Sequence, residues 1–197
     1  MPRPDLSAER RRELLPAVAR AFAELGYRRT TTAELARRCG VQETILYRLW
    51  PDKKAMFLQA IEHVFANSAR TWEGLLAAGA DRRGAARRLL EHEAEHHGEQ
   101  HLYRIVFAGL SEADDPEVRA ALRRMYQGFQ RFVRERLAEH APARRGGPRA
   151  DPGQVAWALV GLGTMANIGR ELGVLDARAR RRLFTGLGRT LLDLGAG

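Results

Sequence analysis

Apolar residues recur along this chain at the three- and four-residue spacings of a helix, and no segment shows the two-residue alternation of a half-buried strand. The tightest pattern runs from Thr32 to Pro51, TAELARRCGVQETILYRLWP. Leu35 and Cys39 form the inner face of a first short helix, with Ala36 supplying a small side chain where two helices approach. Val41, Leu46 and Leu49 form the inner face of a second. Gly40 stands between them, where the first helix must end in a left-handed backbone conformation that glycine adopts at little cost. Thr31 and Glu34 read as a capping box, the Thr oxygen taking an orphan backbone N–H and the Glu reaching back to the cap. A start, a turn and two facing apolar stripes predict a helix-turn-helix.

The outward face of the second helix carries Gln42, Glu43, Thr44, Tyr47 and Arg48. A helix so equipped can lie in the major groove of DNA, its first turns against base edges and its hydroxyls against phosphates. Arg48 can donate two hydrogen bonds to a guanine and Gln42 can pair with an adenine, whereas Glu43 is repelled unless it accepts from a cytosine amine. The alternative for the motif alone is a small helical core with a solvated polar face.

Helical periodicity carries the rest. Ser7 is placed to cap a first helix, with Pro16 inside it as a kink or a late start. A connecting helix is expected from Lys53 to about Ala69, packing through Met56, Ile61, Val64 and Phe65. Gly79 to Gly84 breaks the pattern, and helices follow at about Arg83 to His97 and His101 to Ser111. Asp115 and Pro116 open a long helix to about Glu139 that buries Val118, Leu122, Met125, Phe129, Val133 and Leu137. Ala141 to Pro152 reads as a loop, followed by two more helices.

From Leu14 to Phe57 the chain closely resembles the amino-terminal domain of the tetracycline-repressor-like (TetR) family of transcription regulators. Phe22, Ala23, Gly26 and Tyr27 match the end of the family's first helix, Thr30 and Thr31 the opening of the second, and Leu35 and Ala36 its interior. Gly40 and Val41 match the turn, and Leu46, Tyr47, Trp50, Pro51 and Lys53 match the lead into the fourth helix. The resemblance implies an all-α fold: a three-helix DNA-binding domain at residues 1–52, then a larger helical domain at 53–197 that binds a small ligand and dimerises. It implies phosphate contacts from Thr31, Tyr47 and Lys53, and base or groove contacts from Gln42, Thr44 and Arg48. Lys53 has a rationale of its own, since Pro51 and Asp52 start a helix whose amino terminus favours a phosphate. Gln42, Thr44 and Ile45 depart from the family's usual residues, which leaves the operator sequence open.

Two helical stripes suit the dimer. Val155, Leu159, Leu162 and Ala166 form one, with Gly161 and Gly163 allowing close approach; Leu183, Leu187, Leu191 and Leu194 form the other. The expected homodimer interface is therefore Leu159, Gly161, Leu162, Gly163, Ala166, Leu183, Leu187 and Leu191 in a four-helix arrangement. Two half-sites on DNA require the same symmetry. For the small-molecule effector, the aromatic, imidazole and thioether groups of the enclosing helices are the candidates: Trp72, His92, His96, Tyr103, Phe107, Tyr126, Phe129, Trp157 and Met165.

Composition agrees with a polyanion partner. Residues 1–60 hold 12 Lys and Arg against 7 Asp and Glu, so +5 of the chain's formal +9 sits there. Arg180, Arg181 and Arg182 show that arginine is also abundant elsewhere. The single cysteine excludes an internal disulfide, and Cys39 belongs to the inner face of the motif rather than to redox chemistry. No amino-terminal stretch resembles a signal peptide, and the longest uncharged run, Val155 to Gly169, is shorter than the roughly 20 residues a membrane helix needs, so a cytoplasmic location without membrane insertion is expected.

Two catalytic patterns compete with the regulatory reading. His92, Glu93 and His96 spell H-E-x-x-H, which on a helix sets two imidazoles on one face with a carboxylate as base, the signature of a metal-dependent hydrolase. Glu91, Glu95 and His97 make this a charged helix with no further ligand at a persuasive spacing, so neither a metal nor another cofactor is expected. Gly161, Gly163 and Ala166 mimic a dinucleotide fingerprint but lack the strand and the distant acid that such a fold needs. The chain is read as a non-enzymatic, sequence-specific DNA-binding regulator, a repressor released from its double-stranded operator by an effector. A helical interaction protein without DNA binding is the remaining alternative, hinted at by Glu43.

Overall fold

The computed structural model describes residues 6–78, 84–139 and 150–195, and every regular element among them is helical. The elements are α1 (Leu6–Arg29), α2 (Thr32–Cys39), α3 (Glu43–Leu49), α4 (Lys53–Ala77), α5 (Ala85–His96), α6 (Arg104–Leu110), α7 (Pro116–Glu139) and α8 (Pro152–Glu171). A final run follows as α9 (Ala177–Leu183), a π-helical turn (Phe184–Gly188) and α10 (Arg189–Gly195). Among these described residues no helix is long and apolar enough to cross a membrane.

Several expected boundaries move, each for a local reason. Ser7 lies inside α1, in its first turn. Pro16 also lies inside α1, on an exposed side, and the helix breaks instead at Gly26, with φ 75° and ψ 169°. α4 extends past Ala69 to Ala77 and so carries Trp72 on a helix. α6 begins at Arg104 because His101 takes a positive φ of 56°. In α7, Phe132 is buried in addition to Val118, Leu122, Met125 and Leu137, while Phe129 and Val133 are half-buried. The expected break at Gly79–Gly84 and the expected loop from Ala141 to Pro152 fall mostly outside the described residues. Asp151 caps α8 by accepting the Gln154 N–H, and Pro152 opens that helix.

Packing divides the chain into two compact units: Met1–Asn67 with Gln100–Met125, and Ser68–Glu99 with Tyr126–Gly197. α4 and α7 contribute to both. In the first unit Phe22 of α1 and Phe57 of α4 meet edge-on at 5.0 Å, and Tyr27 packs on Phe57 at 4.7 Å. Leu35, Leu46, Trp50, Met56 and Ile61 are buried around them. α6 and the start of α7 belong to the same unit through buried Ile105, Val106, Val118 and Leu122, with Gly109 close under Leu122. In the second unit the core is built from Leu90, Leu137, Val155, Ala156, Leu162, Ala166, Phe184 and Leu192. Gly188, in the π-helical turn, lies where a Cβ would stand 2.8 Å from Leu90, so that turn sits tight on α5.

Gly40 ends α2 at φ 65° and ψ 32°, and its N–H bonds back to Arg37 O. A Cβ there would meet no atom within 4 Å, so Gly40→Ala would cost backbone strain alone. The expected loss is about 1–2 kcal/mol of unfolding free energy. Leu46→Ala, which empties a fully buried site, is expected to cost about 2–5 kcal/mol, both read from denaturant midpoints at constant slope.

Candidate functional site

α3 is the helix whose outer face is free. Leu46 and Leu49 bury its inner side and Trp50 ends it, with the Trp50 ring N–H held by Gln59 Oε1 at 2.7 Å. Gln42, Glu43, Thr44, Tyr47 and Arg48 are all exposed. Gln42 is the N-cap residue by backbone position but makes no side-chain cap bond, so its amide is available. Tyr47 is 51% exposed and its hydroxyl lies 3.0 Å from Thr32 Oγ1, which joins the outer face of α3 to the start of α2. Thr31 caps α2 by accepting the Glu34 N–H at 3.2 Å and is itself exposed. Five expected DNA-contact residues, Thr31, Gln42, Thr44, Tyr47 and Arg48, thus lie exposed on the helix-turn-helix.

The reciprocal half of the expected capping box is absent. Glu34 does not return to the cap, because its carboxylate receives Arg37 at 2.7 and 2.8 Å and Arg38 at 2.6 Å. Those bonds hold the Glu34 carboxyl down at about 2, and Arg38 also pairs with Glu24 of α1. Lys53 is likewise engaged: its Nζ donates to Tyr27 O at 3.2 Å and Thr30 O at 3.1 Å and lies 4.4 Å from the Tyr27 ring centroid. Two of its three N–H groups thus clamp the α1–α2 junction. Cys39 is half-buried with its thiol toward Leu14 O, and burial pushes that thiol's pKa up, against a role as a reactive thiolate.

Thr32, Glu24, Arg37 and Arg38 escaped the sequence reading. Arg37 and Arg38 stand at local i+3 and i+4 helix spacings from Glu34, whereas the Thr32–Tyr47 and Glu24–Arg38 partners lie 15 and 14 positions apart on different helices. Arg28 with Glu112, and Lys54 with Asp115 and Glu117, tie the same unit to the α6–α7 turn.

The effector candidates are dispersed. Tyr103 and Phe107 belong to the first unit, while Trp72, His92, His96, Tyr126, Phe129, Trp157 and Met165 belong to the second. Trp72 packs against Phe129 at 5.7 Å and Phe132 at 5.0 Å, and Tyr126 Oη lies 3.4 Å from Thr164 Oγ1. Trp157 and Met165 are about half exposed on α8. His92 and His96 sit on α5 with ring centroids 4.7 Å apart, His92 in an open cleft of about 380 Å³ with Glu91, Glu95, Arg181, Thr185 and Arg189.

Glu93, read as the base of the H-E-x-x-H pattern, and His97, read as part of a charged helix face, turn inward instead. The Trp72 ring N–H donates to Glu93 Oε1 at 2.7 Å, Glu93 Oε2 lies 2.5 Å from His97 Nδ1, and His97 Nε2 lies 2.8 Å from Gly163 O. A backbone carbonyl only accepts, so Nε2 donates to it, and Nδ1 faces the carboxylate. This bridge links α4, α5 and α8 and explains Gly163, where a Cβ would stand 3.1 Å from the His97 ring. Burial pushes the Glu93 carboxyl up, but the His97 bond and charge, the Trp72 bond and His92 outweigh it and hold the group below the usual carboxylate range.

The expected dimer residues divide. Leu162 and Ala166 are buried in the second unit's own core, and Leu159, Leu183 and Leu191 pack against it. Gly163 lies under His97. Gly161 and Leu187 are exposed, and with them Trp157 and Met165, which continue the i, i+4, i+8 line of Gly161, and then Leu172 and Val174. The apolar face left free on α8 is therefore one residue position, roughly 100°, around the helix from Leu162 and Ala166.

These helices, with α2 and α3 set at a glycine turn and a polar reading face outside, define a helix-turn-helix protein with an appended all-helical unit. Residues 14–60 match the model of the bacterial regulatory proteins of the tetR family. The nucleoid occlusion factor SlmA of Haemophilus influenzae strain PittGG is 44% identical over 57 residues, which are 28% of this chain and 26% of that protein. SlmA of Vibrio campbellii is 45% identical over 56 residues, 28% of this chain and 29% of that protein. The chain thus spans about a quarter of the length of the curated relatives it matches. Over nearly its whole length it shares the fold of a TetR-family transcriptional regulator from Rhodococcus sp., with a TM-score of 0.76 at 19% identity covering 94% of this chain and 99% of that one. A transcriptional regulator from Saccharomonospora viridis, solved in complex with choline, superposes with a TM-score of 0.72 at 20% identity over 90% of this chain and 94% of that one.

The Glu93 bridge has a pH signature. Its carboxyl titrates lower in the folded chain than in the unfolded one, so the ionised group stabilises the fold above the unfolded carboxyl range. That contribution is lost as pH falls through the lower, folded value. Glu93→Gln is expected to cost about 2 kcal/mol near neutral pH, and the gap between the two chains should close below about pH 4. Thermal melts of both chains across that range measure it.

Proposed function

We propose that the chain is a sequence-specific transcription regulator that binds double-stranded operator DNA as a homodimer, a repressor released when a small-molecule effector occupies residues 53–197. The observation that carries this reading is the exposed outer face of α3, presented on a helix-turn-helix that matches the family model. Arg48 and Gln42 address base edges, Thr44 the groove, and Thr31 and Tyr47 phosphates. Lys53 sets the α1–α2 junction and has one N–H left for a phosphate. The choline bound by the Saccharomonospora regulator supports an effector role for a helical domain of this shape. A DNA target also argues for a cytoplasmic protein.

The dimer face is assigned to Trp157, Gly161, Met165 and Leu187, with Leu159, Leu183 and Leu191 at its margin. Two copies of a short reading helix then engage half-sites one helical turn apart. The effector acts by favouring an arrangement in which that spacing fails. The hydrolase alternative is disfavoured because Glu93, its required base, is committed to Trp72 and His97. An interaction protein without DNA binding finds support only in Glu43, exposed at the start of α3.

Anisotropy titrations with DNA from upstream of the chain's own and neighbouring genes, with and without candidate ligands, test the reading. Arg48→Ala should cost about 1–3 kcal/mol on the preferred site and relax selection at one base, while Tyr47→Phe should weaken all DNA similarly. Unchanged affinity and salt dependence in both would refute this docking mode. In sedimentation, Trp157→Glu combined with Met165→Glu should yield monomers that have lost high-affinity DNA binding.

A further inference from the structure

We propose that His92 and His96 form a two-imidazole site for one borderline-soft divalent cation, of the zinc, nickel or copper kind, on the solvent side of α5. The two rings stand one helical turn apart with centroids separated by 4.7 Å and planes inclined by 37°. Both are accessible: His92 lines the open cleft and the His96 side chain is 49% exposed. Their nitrogens are prepared for a metal. His96 Nδ1 lies 3.2 Å from Glu99 Oε2, and because a carboxylate accepts, Nδ1 carries the proton and Nε2 keeps its lone pair. His92 has no hydrogen-bond partner among the described residues, so either of its nitrogens can ligate.

Imidazole pairs favour this class of cation over magnesium or calcium, which take oxygen ligands. Among the described residues no group of three or more His, Cys, Asp or Glu side chains is assembled for a metal, so water completes the coordination and the ion exchanges readily. The cationic neighbours in the cleft, Arg181 and Arg189, are each paired with a carboxylate, Glu95 at 3.2 Å and Glu91 at 3.3 Å. Glu95 shares the helix face of His92 and His96, so a bound divalent ion competes with Arg181 for it. With Glu93 turned inward, such a site binds a metal without a base for hydrolysis.

Calorimetric titration of the untagged, chelator-washed full chain with zinc chloride is expected to show one equivalent bound and no heat of binding with magnesium chloride. His92→Ala and His96→Ala should each weaken zinc by at least about tenfold, and Glu99→Gln by about tenfold through loss of the orienting bond. Acidification should weaken it as protons compete for the imidazoles. Copper bound in place of zinc should show electron-spin couplings to two nitrogens in the parent chain and to one in either single variant. A doubly substituted chain that binds zinc like the parent, or a parent copper spectrum with one nitrogen, would overturn the proposal. Both side chains lie outside the buried core, and a melting temperature matching the parent's confirms that a variant is folded.

Discussion

A helix of seven residues does not hold itself together in water, and α3 is that short. Its existence depends on burying Leu46, Leu49 and Trp50 against α1, α2 and α4, where Phe22, Leu35, Phe57 and Ile61 complete the apolar surround. Each such side chain contributes about 1.5–3 kcal/mol on burial, which exceeds what helix propensity supplies over two turns. The constraint separates two kinds of position. The inner face is fixed by packing, whereas the side chains of Gln42, Thr44 and Arg48 are exposed. The departures from the family's usual residues at Gln42 and Thr44 fall on the free side, so the fold tolerates them and their effect is confined to what is read.

Charge is handled by the same separation. The first unit is rich in arginine, yet Arg28, Arg37 and Arg38 are spent on Glu112, Glu34 and Glu24, and Lys53 on backbone carbonyls. Exposed pairs of this kind contribute little to stability, and their consequence here is orientation. Net positive charge therefore overstates the charge available to a polyanion. Arg48 stands on the reading face without a partner among the described residues, which is why a single substitution there is informative.

The sequence made α2, the turn and α3 legible because a glycine at positive φ and two apolar faces leave few alternatives. The inner partners of Lys53 were not legible, since Tyr27 O and Thr30 O lie 26 and 23 residues earlier and carbonyls have no side-chain signature. Glu93 and His97 were visible as a helical pair, but their burial depends on Trp72 and on the Gly163 carbonyl, from helices distant in sequence. α8 is a different case. It is apolar around most of its circumference, so periodicity yields two stripes and does not say which one the chain keeps for itself. Leu90, Leu137 and Phe184 decide that by covering the side of Leu162 and Ala166.

The two sides of α8 then acquire different work. One side is locked by polar bonds, from His97 at the end of α5 to the Gly163 carbonyl and between Thr164 and Tyr126 of α7. The other presents Trp157, Gly161 and Met165. A hydrogen bond between packed helices is directional and a buried ion pair tolerates little misalignment, so displacement of α5 or α7 by a ligand strains these bonds before it disturbs the apolar core. In the proposed dimer such strain reaches the face where two copies of α8 meet. An effector therefore needs no contact with α3 to alter the half-site spacing. It needs only to bind one arrangement of α5, α7 and α8 better than another, and the free-energy difference sets how far the equilibrium moves.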